Sequence, residues 1–352
     1  MVRLAIVVDS DAFGGAEVYV RQLLRRATGS VERILLVAEP VADPLRGPYP
    51  VHVLPVTRHQ ETAPELADAL AGVRPDVVHV NLVDPSSNRA AIRAAQAVAP
   101  TVVTLHLQGS LGPDPDALRK AYAEVTAALA PSATIAAQLR DELGLSREVV
   151  HHVRNGVDIP GHAPFWQRRR RGPLTVGSVG RLTEQKGFDV LVEAVRQVDP
   201  AGRRVRVVVA GAGRDAEALQ RQAAGLPIRF VGHCDDVPAL LSTFDIFCLP
   251  SRREALSLAL LEAMAHGLPC VTTAVGDTAE AVGEDALVVE PDDVNGIACG
   301  LNRLVEDAQF RRDLGRRARS RAVRDFDAGR MVTQSVQVIT QAAGRRPLAA
   351  PH

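Results

Sequence analysis

Two carboxylates, Glu254 and Glu262, stand eight positions apart in the largely apolar stretch SRREALSLALLEAMAHGLPCVTT, which runs from Ser251. A purely structural helix would turn its acids to solvent. On a helix rising about 1.5 Å per residue, eight positions span roughly 12 Å. That matches the reach between the vicinal hydroxyls of a hexose and those of a ribose joined by a diphosphate. Carboxylates accept paired hydrogen bonds from such diols, and a helix N-terminus between them would face the diphosphate. The simpler account is a helix cap plus one chance acid.

Further candidates fall where strand-like runs pass into helical ones. Arg181 and Lys186 lie in RLTEQKGFDVLVEA, beside Gly180 and Gly187. A guanidinium fork and an ammonium near a helix start suit a diphosphate leaving group whose negative charge must be stabilised. Two solvated loop charges would look the same. His106 ends TVVTLH, next to Gly109, as a ligand contact or a structural histidine. Gly14 and Gly15, in DSDAFGGAE, let backbone amides approach an anion, or simply form a tight turn. Gly211, Gly213 and Ala216 match the G-x-G-x-x-A dinucleotide pattern, but the next strand ends in Gly232 and His233 without the ribose-binding acid. Asp9 and Asp11 form a D-x-D, the pattern by which some transferases hold a metal. Asp114 with Asp116 and Asp325 with Asp327 repeat it, so it recurs by chance.

These residues need a scaffold. Short β-branched runs such as RLAIVV, RILLVAE, TVVTLH, VRVVVAG and DIFCLPS alternate with helical patterns, among them DPDALRKAYAEVTAAL and FDVLVEAVRQV. Continuous rather than alternating hydrophobicity predicts parallel strands buried on both faces. The 352 residues suffice for two such domains. PGHAPFWQRRRRGP, residues 160 to 173, reads as a linker, and its Trp166 and arginines as a linker run or a membrane foot. RMVTQSVQVITQAA lies outside the second repeat and is free to cross back to the first domain. The tail GRRPLAAPH reads as disordered. With 41 basic and 41 acidic side chains there is no global attraction for nucleic acid. No apolar run is long enough to span a bilayer. Four cysteines lack zinc spacing, and Cys248, Cys270 and Cys299 read as packed, reduced thiols, hence a cytoplasmic protein.

Taken in order, FGGAE, TLH, RNGVD, GRLTEQKGFDVLVEA, AGAGRD, FVG and LPSRREALSLALLEAMAHGLPCVTTAVGDTAEAV resemble the retaining glycosyltransferases of the GT-B fold, group 1 / family 4 type. That group includes bacterial mannosyl- and N-acetylglucosaminyltransferases. The likeness covers most of the chain and is strongest from about residue 176 to 307. The resemblance implies that Glu254 binds donor-sugar hydroxyls, Glu262 the ribose, and Arg181 with Lys186 the diphosphate. Ala255, Leu256, Ser257 and Leu258 would line the donor, His106 the transferred sugar, and Gly15 the phosphates or acceptor. The family usually has glycine where this chain has Ala255, and often where Ser257 stands. An alanine permits the same turn only at negative φ.

The expectation is therefore an α/β chain of GT-B architecture, with two Rossmann-like doubly wound domains facing across a cleft. Residues 1–160 would bind acceptor, 173–330 the nucleotide sugar, and 331–352 would form the crossing helix and tail. The activity would be retaining, metal-independent transfer from a UDP- or GDP-sugar, the only cosubstrate, with no cofactor. With no membrane segment and no long basic surface helix in view, a small soluble acceptor is favoured over a lipid. The protein would be a monomer or homodimer without stable membrane insertion. The alternatives are a nucleotide-sugar epimerase and a non-catalytic nucleotide-sugar-binding protein. Aromatic residues, at 3%, leave few stacking platforms for a carbohydrate-binding module.

Overall fold

The computed structural model describes residues 1–29, 31–55, 58–161 and 172–344. Most of the linker, with Trp166 and the arginine run, and the tail from residue 345 lie outside the described residues.

The chain forms two compact units, Met1–Gly156 with the segment from Ala328, and Val157–Asp327. The first runs β1 (Val2–Val8), α1 (Gly15–Arg26), β2 (Val31–Ala38), β3 (Val51–Leu54), α2 (Pro64–Val73) and β4 (Val77–Leu82). It continues through α3 (Arg89–Gln96), β5 (Thr101–Leu105), α4 (Pro115–Ala123), β6 (Ala127–Ala130), α5 (Ala133–Ala137) and β7 (Val150–His152). Its sheet has the order β3-β2-β1-β4-β5-β6-β7, all parallel. β4 and β6 are buried along their whole length, which is why their runs show no polar alternation. β6 corrects the sequence reading, which placed TAAL inside a helix. The helix stops at Ala123, and the alanines instead pair between β5 and β7, where tertiary pairing overrides alanine's helix preference.

The second unit runs β8 (Leu174–Val179), α6 (Phe188–Val198), β9 (Val205–Ala210), α7 (Ala216–Gln222), β10 (Ile228–Phe230), α8 (Val237–Leu241) and β11 (Ile246–Leu249). Then come α9 (Leu258–Ala265), β12 (Cys270–Thr273), α10 (Thr278–Val282), β13 (Leu287–Val289), α11 (Val294–Glu306) and α12 (Ala308–Asp325). The order is β10-β9-β8-β11-β12-β13, again parallel. Along β11, Ile246 and Cys248 enter one core while Phe247 and Leu249 enter the other, so the strand must be apolar at every position. Two doubly wound parallel-sheet domains are what the alternating runs predict. Cys299 departs from expectation: it is exposed, on the outer side of α11, whereas Ile297, Ala298 and Leu301 face the core.

α12 departs from the expectation of no long basic surface helix: it runs 18 residues with seven arginines. Three of those arginines are committed to carbonyls at helix ends. Arg311 Nη1 donates to Leu304 O at the end of α11 (2.6 Å), Arg321 Nη2 to Glu280 O of α10 (3.1 Å), and Arg319 to Ala265 O of α9. Cations there complement the negative helix ends.

The last helix, α13 (Ala328–Ala343), belongs to the first unit. Met331, Val332, Ile339 and Ala342, at helical spacing, join the core formed by Leu4, Ile6 and Leu23. Ile339 is fully buried. Ile339→Ala should destabilise the first unit by about 2–5 kcal/mol, the usual cost of such a cavity. Hydrogen exchange should quicken in β1 and β4 while β8 and β11 keep their protection. Equal loss in both sheets would mean that α13 is not specific to the first unit.

Candidate active site

In the second sheet the strand order reverses between β8 and β11. Doubly wound sheets bind ligands in the crevice outside such a point. The loop after β8 carries Arg181 and Lys186, and the loop after β11 carries Ser251 to Ser257. The chain meets itself closely there. Gly187 adopts φ 64°, and a Cβ on it would lie 2.1 Å from Pro250 O, so only glycine permits this approach. The Lys186 ammonium pairs with the Glu254 carboxylate, their side chains 13% and 7% exposed. Ser251 Oγ donates to the same carboxylate oxygen, Glu254 Oε1, at 3.0 Å. Arg181 is exposed, and its guanidinium has no partner among the described residues.

The structure corrects the helical ruler between the two glutamates. Ser257, extended at φ −74° and ψ 121°, precedes a helix that begins only at Leu258. Helical rise therefore separates Leu258 from Glu262, not Glu254 from Glu262. Glu254 sits in the loop, fixed by its pairing. Ala255 is not among the described non-glycine residues with positive φ, so the turn tolerates its methyl group. Its carbonyl accepts Asp277 N–H at 2.9 Å. Leu256 is buried in the core beneath, and Leu258 and Glu262 are half-buried on α9. Ser257 makes no side-chain cap bond, so none of the first-turn amides of α9 is satisfied by it. The Gly211–Gly213 segment serves packing: a Cβ on Gly211 would fall 1.8 Å from Gly180 O.

Sequence reasoning missed Ser251, Arg252 and Gly276. Arg252 bridges Asp189 and Asp292, and Gly276 abuts the Glu254 carbonyl. Arg252 gave no signal, because an arginine's partners depend on distant loops.

The first unit holds the other candidates. Its order reverses between β1 and β4, where Asn88 donates to the buried carboxylate of Asp9. Burial, partly offset by Asn88, pushes the Asp9 pKa up to about 7. Asp11 pairs with Arg58. Among the described residues no three His, Cys, Asp or Glu side chains gather as metal ligands. Gly15 opens α1, and the adjacent Gly14 N–H donates to Glu17 Oε2 at 2.8 Å. The helix start is thus already taken by the chain's own carboxyl group, Glu17, whose pKa burial raises. Its spacing from Gly14 is the signal the sequence offered.

His106, after β5, is buried, with Nε2 2.8 Å from Asn81 Oδ1 and its ring edge-on to Tyr19 at 5.1 Å. With the Asn81 oxygen accepting, Nε2 carries the proton and Nδ1 the lone pair. Burial, then the nearby His79, pushes the His106 pKa down to about 3, so it is neutral at ordinary pH.

Two Rossmann-like parallel-sheet domains, each with a loop-lined reversal point, define the GT-B class. A family model for glycosyl transferases group 1 matches residues 173–307, and one for glycosyltransferase family 4 matches residues 13–159. A glycogen synthase of Mycobacterium tuberculosis is 32% identical over 291 residues, 75% of this chain and 68% of its own. A 2-deoxystreptamine glucosyltransferase of Streptomyces kanamyceticus is 32% identical over 210 residues, 54% of this chain and 53% of its own. Anabaena HepE, solved with UDP and glucose, superposes with a TM-score of 0.77 at 21% identity, covering 97% of this chain and all of that one. The chain belongs to the group 1 / family 4 glycosyltransferases.

The raised Asp9 pKa has a definite sign. Between the ordinary carboxylate value, 3.8, and about 7 the folded state holds a proton that the unfolded chain releases. Asp9 therefore costs stability progressively as pH rises through that window. Asp9→Asn removes the cost, so its stability relative to wild type should increase from pH 4.5 to pH 8, measured by urea unfolding. A pH-independent difference would show that the carboxylate is not held protonated.

Proposed function

We propose that this chain transfers a sugar from a nucleoside diphosphate sugar, UDP- or GDP-linked, to a hydroxyl of a small soluble acceptor, with retention of configuration. The observation carrying the reading is the Lys186–Glu254 contact outside the β8/β11 reversal, next to the start of α9. Two of the three Lys186 N–H groups remain for phosphate oxygens after Glu254 takes one. Arg181 and the first-turn amides of α9 add further positive potential. These donors bind the diphosphate more tightly as the glycosidic bond breaks and negative charge collects on the leaving oxygen. Glu254 Oε2 takes sugar hydroxyls, and Glu262 takes the ribose diol. His106, the first-unit residue that the family likeness assigns to the sugar, is neutral and offers Nδ1 as an acceptor for a hydroxyl. The acceptor hydroxyl attacks from the face the nucleotide leaves. The bound UDP and glucose of HepE, and the aminocyclitol named for the Streptomyces enzyme, support a nucleotide-sugar donor and a small polar acceptor.

A thermal-shift screen of UDP-, GDP-, ADP- and dTDP-sugars tests the reading. A ligand at a hundred times its dissociation constant stabilises by about 2.7 kcal/mol. Glu262→Ala should weaken the free nucleotide roughly ten- to a hundredfold, the worth of a charged hydrogen-bond acceptor. Glu254→Gln, which avoids stranding the Lys186 charge, should depress transfer and leave nucleoside diphosphate affinity nearly intact. Unchanged nucleotide affinity in Glu262→Ala removes that residue from the site. Binding without any hydrolysis or transfer would favour a non-catalytic binder instead.

Because fixed cations already balance the diphosphate, transfer should persist in excess chelator. Complete loss there, restored by magnesium or manganese, would bring Asp9 and Asp11 forward as ligands.

A further inference from the structure

Arg252 sits two residues before Glu254 and uses nearly all of its donors. Nη1 and Nη2 reach the two carboxylate oxygens of Asp189, in the first turn of α6, at 2.9 and 2.7 Å. Nε donates to Asp292 Oδ1, in the loop before α11, at 2.6 Å. Nη1 also donates to Glu184 O, in the turn that carries Lys186, at 2.8 Å. The backbone adds to this, with Arg252 N–H donating to Gln185 O at 2.8 Å and Gln185 Nε2 to Arg253 O at 3.0 Å. Asp292 holds φ 62°, a conformation that non-glycine residues seldom adopt unless something fixes it. These bonds join three loops: the one bearing Lys186, the one bearing Glu254, and the one before α11.

We propose that Arg252 is a positioning residue for the Lys186–Glu254 pair, locking the two loops in the register that presents both groups to the donor. This rests on the donor-site reading above. The pair lies on loops that no strand hydrogen bond connects directly, and small displacements of reacting groups cost up to about a hundredfold in rate. Arg252 stands between the loops as a rigid planar fork with three acceptor groups in fixed directions. A lysine's single nitrogen reaches one or two of them and leaves the rest unsatisfied.

The test uses the full chain and whichever of UDP-glucose or GDP-mannose it turns over, following nucleoside diphosphate release, with UMP or GMP as the matching binding probe. Arg252→Lys and Arg252→Gln should each lower kcat roughly ten- to a hundredfold. The donor KM, the monophosphate Kd and the melting temperature should stay near wild type. Asp189→Asn, which keeps one acceptor oxygen, should fall in the same direction but less far. Wild-type kcat in Arg252→Lys overturns the proposal, since charge alone would then suffice. So does a parallel loss of kcat, monophosphate affinity and melting temperature, which would make Arg252 a scaffold residue only. A wild type inert towards both sugars sinks the donor reading and this inference with it; an active wild type with unaffected Arg252 variants sinks this inference alone.

Discussion

The ion pair of Lys186 and Glu254 sets the terms for the second unit. Both side chains are largely shielded from water, and either charge left alone there would carry a desolvation cost of several kcal/mol. The pair exists only because the loop after β8 and the loop after β11 are brought together at the reversal of strand order. That closeness has its own requirements: a glycine at 187, a hydroxyl at 251, and the Arg252 fork tying both loops to α6 and to the loop before α11. The sheet supplies the platform, but the loop-to-loop bonds supply the precision.

The first unit handles polar groups differently. Its reversal point is occupied by the chain's own hydrogen bonds, Asn88 to Asp9, and Ser10 and Gly14 to Glu17. His106 is held neutral by burial between Asn81 and Tyr19, and Tyr19 is held in turn by Ser335 of α13, 3.0 Å from its hydroxyl. The last helix of the chain thus contributes to the polar core around a candidate site residue some 230 positions earlier. Such networks hold geometry well only when nearly every member is satisfied.

Charge on this chain is a poor guide to partners. α12 carries seven arginines, yet Arg311, Arg319 and Arg321 are bound to carbonyls at the ends of three other helices. No helix among the described residues is long and apolar enough to cross a membrane.

By itself the sequence determined the class of fold, because strands buried on both faces must be apolar at every position and the helices between them must repeat near 3.6. It also placed Arg181, Lys186 and Glu254 at strand-to-helix passages, since each follows a recognisable apolar run, and Glu262 on the helix that follows Glu254. Local pattern misled wherever tertiary pairing decides: the alanines of β6 were read as helix, Cys299 as core, and the whole span from Glu254 to Glu262 as helical rise although the helix starts only at Leu258. Arg252 and Asn81 were invisible, because their roles depend on partners 63 and 25 positions away. Only the tertiary structure decided that Lys186 and Glu254 touch. A sequence records which residues line each loop, but the distance between two loops is set by strand order and by the glycines and hydrogen bonds that let backbones meet.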